Sequence, residues 1–125
     1  MATEPLTATT YQLFIEVSVP VRVSVGRLGC FDFPAGEYVY TGSARRNFSA
    51  RVNRHLSPIK KMHWHIDYLL TTPGVNVREV LCYAEPECAV NQQTRGEILV
   101  PGFGSSDCLA GCGSHLKRLE SPRSV

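Results

Sequence analysis

From Tyr11 to Val25 the chain places an apolar residue at every second position, a period that only an extended strand with one buried face can use. Tyr11, Leu13, Ile15, Val17 and Val19 share one side. Val21, Val23 and Val25 resume the period after Pro20, so the run reads as two short strands with a break. The glycines at 26 and 29 and the Pro34-Ala35-Gly36 triplet are turn signals, and residues 38–40 give a further strand. Strands joined by such short turns imply an antiparallel meander.

The period then changes. Phe48, Val52 and Leu56 stand at i, i+4 and i+8, an apolar stripe for a helix that Asn47 caps and Pro58 ends. A second helix is expected over residues 64–71, stopped by Pro73, and a further strand over 75–83. Glu85-Pro86-Glu87 reads as a helix entrance, because proline suits the first turn and carboxylates there oppose the helix dipole. That helix should run to about residue 94, followed by a loop over 101–107 and a short final element over 114–119. Strands, helices, strand and helix in this order make an α+β domain, with a central antiparallel or mixed sheet flanked by helices. It spans residues 10–119 between flexible ends at 1–9 and 120–125.

A length of 125 residues and a hydrophobic content of 43% suit one folded domain, and no apolar run reaches the roughly 18 residues that span a bilayer. No membrane partner is expected. The first ten residues lack a basic segment followed by an apolar one, and the five cysteines leave an odd one. Both features point to a reducing, cytoplasmic setting rather than a disulfide framework.

Charge is unevenly spread. Residues 38–66 hold Arg45, Arg46, Arg51, Arg54, Lys60 and Lys61 and no acid, so this segment carries +6 while the rest of the chain carries −4. Such a concentration fits a phosphate-binding surface, against the plainer reading of a solvated helix face. Ten of the 13 basic residues are arginine, whose fork matches phosphate oxygens. Gly42 ends the aromatic strand and leaves room for a close approach, with Ser43 beside it. Arg45, Arg46, Arg54, Lys60 and Lys61 would extend the nucleic-acid surface. Arg51 and His55 are i, i+4 neighbours on the border of the apolar stripe, so a guanidinium and an imidazole can converge on a phosphodiester near Tyr40.

Two clusters have both structural and functional readings. In His63-Trp64-His65-Ile66-Asp67 a buried His63–Asp67 bond is the structural one, and a role for His63 or His65 near the substrate the functional one. Cys108-x3-Cys112-x2-His115 has soft zinc ligands, but a structural zinc site takes four; buried free cysteines are the preferred reading.

The block from Tyr38 to Ala44, with Arg51 and His55 after it, resembles the second signature of the GIY-YIG nuclease superfamily. The stretches HWHIDYLL (63–70), Glu87-Cys88 and VPGFGSSDC…SHL resemble its compact stand-alone, Uri-type branch, so the resemblance covers about residues 10–117. It implies that Tyr11 is the tyrosine of the first motif and that Tyr40 and Gly42 belong to the second. Arg51 would steady developing charge, and Tyr11, Tyr40 or His55 would help deprotonate water. Glu87 would be the single glutamate holding Mg2+ or Mn2+, which suits a cation that keeps much of its hydration. Thr9-Thr10-Tyr11 stands where the family has Gly-Ile-Tyr, and Gly36-Glu37-Tyr38 is a rival local match. The 29 residues from Tyr11 to Tyr40 imply an inserted hairpin. The asparagine that the family often places late has no clear match, although Asp107 sits in a suitable loop. The implied function is metal-dependent endonuclease action on DNA or RNA; the alternative is a nucleic-acid-binding module on the same fold that has lost cleavage.

Overall fold

In the computed structural model, strand β1 (Thr10–Val17) lies between two antiparallel partners, β4 (Gly36–Ser43) and β5 (Val75–Tyr83). A short strand β6 (Leu116–Arg118) adds to the far side of β4, giving a four-stranded sheet in the order β5-β1-β4-β6. The structure describes residues 9–43, 48–57, 65–103 and 114–119. Three helices are described with it: α1 (Phe48–Leu56), α2 (His65–Leu70) and α3 (Glu87–Gln93). The domain is a small α+β fold, as the alternation of periods implied.

The expected meander is corrected in one respect. β2 (Val21–Val25) does not pair with β1; it pairs with β3 (Gly29–Phe33) as a separate two-stranded sheet, the hairpin inserted between the two tyrosine strands. Its turn is a single 3₁₀ turn (Gly26–Leu28) bounded by Gly26 at φ +51° and Gly29 at φ +127°. The second of these angles is nearly closed to residues with a Cβ. β3 escaped the sequence reading because only Phe31 and Phe33 mark its alternation.

Alternation along β1 sorts the sheet into two unlike faces. Tyr11, Leu13, Ile15 and Val17, with Tyr38 and Tyr40 of β4, face a core completed by Val25 and Phe33 of the hairpin, Ile66 and Leu69 of α2, and Phe103. Each fully buried side chain of this size contributes about 1.5–3 kcal/mol. The other face carries Phe14 and Val39 together with polar side chains, and α3 packs against it. There the Gln12 Nε2 amide donates to Thr41 Oγ1 at 3.1 Å and to Thr94 Oγ1 at 2.7 Å, while Tyr83 OH donates to Gln12 Oε1 at 2.7 Å. Gln12 is therefore buried with its amide satisfied, which is what makes its burial tolerable.

α1 and α2 are tied by a forked ion pair: Arg54 Nη1 and Nη2 each lie 2.9 Å from one oxygen of Asp67, whose side chain is completely buried. On the Asp67 side the described partner is Arg54; His63, and with it the expected His63–Asp67 bond, lies outside the described residues. The stripe on α1 is also rolled. Leu56 is 49% exposed, whereas His55 is 2% exposed, so the helix turns Val52 and His55 inward. The reason is that His55 finds a hydrogen-bond partner in the core, Tyr11. Asn47, Pro58 and the two chain ends lie outside the described residues. No helix among those described is long and apolar enough to cross a membrane.

Candidate active site

Tyr11 and His55 come from elements 44 residues apart and meet at 2.6 Å, phenol oxygen to Nε2. β1 supplies the tyrosine and the inward edge of α1 the histidine. The Tyr40 ring stands edge-on to the imidazole, with centroids 6.2 Å apart, and the Tyr11 ring is tilted against it at 5.3 Å. Opposite Tyr11 on β4 is Gly42, and the phenol lies across it: a Cβ at position 42 would be 2.5 Å from the Tyr11 hydroxyl and 2.6 Å from its Cζ. The close approach that Gly42 was expected to allow is made by the Tyr11 phenol. A phenol bonded to an imidazole can pass a proton along that bond.

One residue further along, a second cluster forms on the other face. Glu87 opens α3 after Pro86, where a carboxylate also opposes the helix dipole. Ser43 Oγ donates to its Oε1 at 2.7 Å, and His115 Nδ1 lies 2.6 Å from its Oε2. An ionised carboxylate only accepts, so with Glu87 ionised this contact requires a proton on His115 Nδ1. The imidazole is 2% exposed and the Glu87 side chain 25%, so the histidine is buried and the glutamate side chain partly exposed. His115 itself is fixed through its backbone: its N–H donates to Phe103 O at 2.8 Å, and its carbonyl accepts from Thr41 N at 3.0 Å.

The two clusters share one end of the sheet but not one face. Tyr11 and Gly42 point to the core side and Ser43 to the α3 side, so the groups are linked through the Gly42–Ser43 peptide. The sequence reading, which drew Tyr11, Tyr40, His55 and Glu87 into one constellation, becomes two halves. Arg51 lies on α1 one turn before His55, with its side chain outside the described set. Arg54, expected on the phosphate surface, is instead engaged with Asp67. His65 packs edge-on against Phe103 at 5.6 Å. Arg45, Arg46, Lys60, Lys61, His63 and Asp107 lie outside the described residues.

Tyr38, the rival first-motif tyrosine, is a core residue. Its OH donates to Pro34 O at 2.6 Å, and burial pushes its pKa up to about 12, so it stays protonated.

His115 was considered in the sequence only as a zinc ligand. Its Nδ1 partner is Glu87, and Cys108 and Cys112 lie outside the described residues. Its signal in the sequence is the Ser114-His115-Leu116 stretch of the family resemblance. Among the described residues no group of three or more His, Cys, Asp or Glu side chains could hold a metal ion. The acidic donor there is the Glu87 carboxylate, on a side chain 25% exposed. That donor set fits a hydrated, oxygen-seeking cation such as Mg2+ better than zinc.

A family model described as "Domain of unknown function DUF123" matches residues 10–125. No curated protein and no solved structure matches the chain.

Proposed function

The chain belongs to the DUF123 family, and we propose that it is a metal-dependent endonuclease of GIY-YIG type, hydrolysing phosphodiester bonds in DNA or RNA. One observation carries the reading. The strand that holds Tyr40-Thr41-Gly42 ends between a Tyr11–His55 hydrogen bond on one face and the Glu87 carboxylate on the other. Metal-assisted phosphodiester hydrolysis uses a group that takes a proton from water, a charge-stabilising cation and an acidic anchor for the metal.

In this reading His55 Nε2 holds the phenolic proton of Tyr11, which lets the phenol oxygen accept a proton from water. Arg51, one turn earlier on α1, stabilises the charge that develops on the phosphate. Glu87 would hold Mg2+, which when bound stabilises the leaving oxygen. The basic segment over residues 38–66 draws in the polyanion, less Arg54, which Asp67 neutralises.

A second reading, nucleic-acid binding without cleavage, is favoured by burial: Tyr11, Tyr40 and His55 are 2%, 6% and 2% exposed. A buried Tyr–His bond serves a structural purpose equally well. A gel assay on single-stranded, duplex and branched DNA and RNA, with and without Mg2+ or Mn2+, separates the two. Metal-dependent cleavage that disappears in Glu87→Gln supports the nuclease. Binding with no cleavage under any metal, unchanged in Glu87→Gln, leaves the binding module.

A further inference from the structure

We infer that His115 is the positioning residue of Glu87, fixing through its Nδ1–H the carboxylate that takes the divalent cation. The inference rests on the metal role proposed for Glu87. Glutamate is a flexible side chain, and a lone carboxylate binds Mg2+ weakly unless it is held in place. Here both oxygens are held from separate strands, Oε1 by Ser43 at the end of β4 and Oε2 by His115 just before β6.

The segment that carries the imidazole is hydrogen-bonded to α3 on either side of His115. Asn91 Nδ2 donates to Ser114 O at 2.9 Å, and Lys117 Nζ donates to Asn91 O at 2.6 Å and Thr94 O at 2.8 Å. Those bonds fasten the helix. Within that segment His115 alone is described in contact with the carboxylate, so its removal should loosen Glu87 while Asn91 and Lys117 still hold α3. A merely structural histidine would affect melting and leave metal binding alone.

The test is an Mn2+ titration of the full chain, read by paramagnetic broadening of NMR signals around Glu87, with melting temperature alongside. In wild type the broadening should centre on Glu87, and Glu87→Gln should abolish it. His115→Leu should need on the order of tenfold more Mn2+, the usual cost of losing a hydrogen bond behind a metal ligand. His115→Asn, whose amide N–H stands near the position of Nδ1, should restore most of that loss. The imidazole nitrogen spectrum of wild type should show His115 protonated on Nδ1, which tests the contact even where His115→Leu fails to fold. Unchanged Mn2+ demand in folded His115→Leu, an Nε2-only tautomer, or no broadening at Glu87 in wild type would each overturn the inference. Broadening that depends on His115 in a protein that cleaves nothing would instead defeat the nuclease reading and leave this one standing.

Discussion

The phenol of Tyr11 occupies the place where a side chain at position 42 would begin: a Cβ there would lie 2.5 Å from the hydroxyl and 2.6 Å from Cζ. Glycine at 42 is therefore set by packing against a neighbouring strand, and not by a turn. Gly42→Ala should push Tyr11 aside, break its bond to His55 and cost about 1–3 kcal/mol, as overpacking of a core does. Because Cζ is as close as the hydroxyl, adding Tyr11→Phe should not relieve the loss. Urea unfolding of the two single variants and the double variant measures this, and recovery in the double variant would place the clash elsewhere.

Arg54 and Asp67 make a different forecast from the one charge alone suggests. Arg54→Ala leaves a completely buried carboxylate without its forked partner, and should destabilise the fold by on the order of 3 kcal/mol. The salt dependence of nucleic-acid binding should stay as in wild type. Neutralising Arg45 and Arg46 together should do the reverse, lowering the slope of log affinity against log salt by about one unit per lost phosphate contact. Binding titrations from low to moderate salt, paired with unfolding curves, distinguish the two arginine classes.

Tyr38 predicts an alkaline limit. Its folded pKa is raised from 10.0 to about 12, chiefly by burial, so the unfolded chain loses this proton first as pH rises. The stability it contributes is complete below pH 10 and is lost as pH climbs through about 12. In Tyr38→Phe this loss should flatten, after a modest constant penalty for the bond to Pro34 O. Chemical unfolding at a series of alkaline pH values reads the slope; equal slopes in both proteins would refute the assignment.

Arg51 is expected to act on the transition state. Arg51→Ala should lower turnover on the order of 10²-fold and leave affinity for uncleaved nucleic acid close to wild type. Single-turnover cleavage beside equilibrium binding gives both numbers. Parallel losses would make Arg51 a phosphate clamp.

The elements themselves follow from local residue patterns. Period two in residues 11–25 and 75–83, and Pro86 before an acid, are local properties of the chain, and β1, β2, β5 and α3 stand where they should. The hairpin inserted before Tyr40 follows likewise, since 29 residues must go somewhere between two strands that pair directly. Which residues meet is a property of the folded chain. The roll of α1 that buries His55 and exposes Leu56 is set by a hydrogen-bond partner 44 residues away, which no periodicity within the helix can register. Arg54 looks like any surface arginine until Asp67 is placed beside it. Ser43 and His115 reach Glu87 across separations of 44 and 28 residues. Strand alternation then sends adjacent residues Gly42 and Ser43 to opposite faces and divides one apparent constellation in two. Spacing along the chain fixes period and turn; long-range pairing fixes partners, because hydrogen bonds and burial act between atoms close in space whatever their distance in sequence.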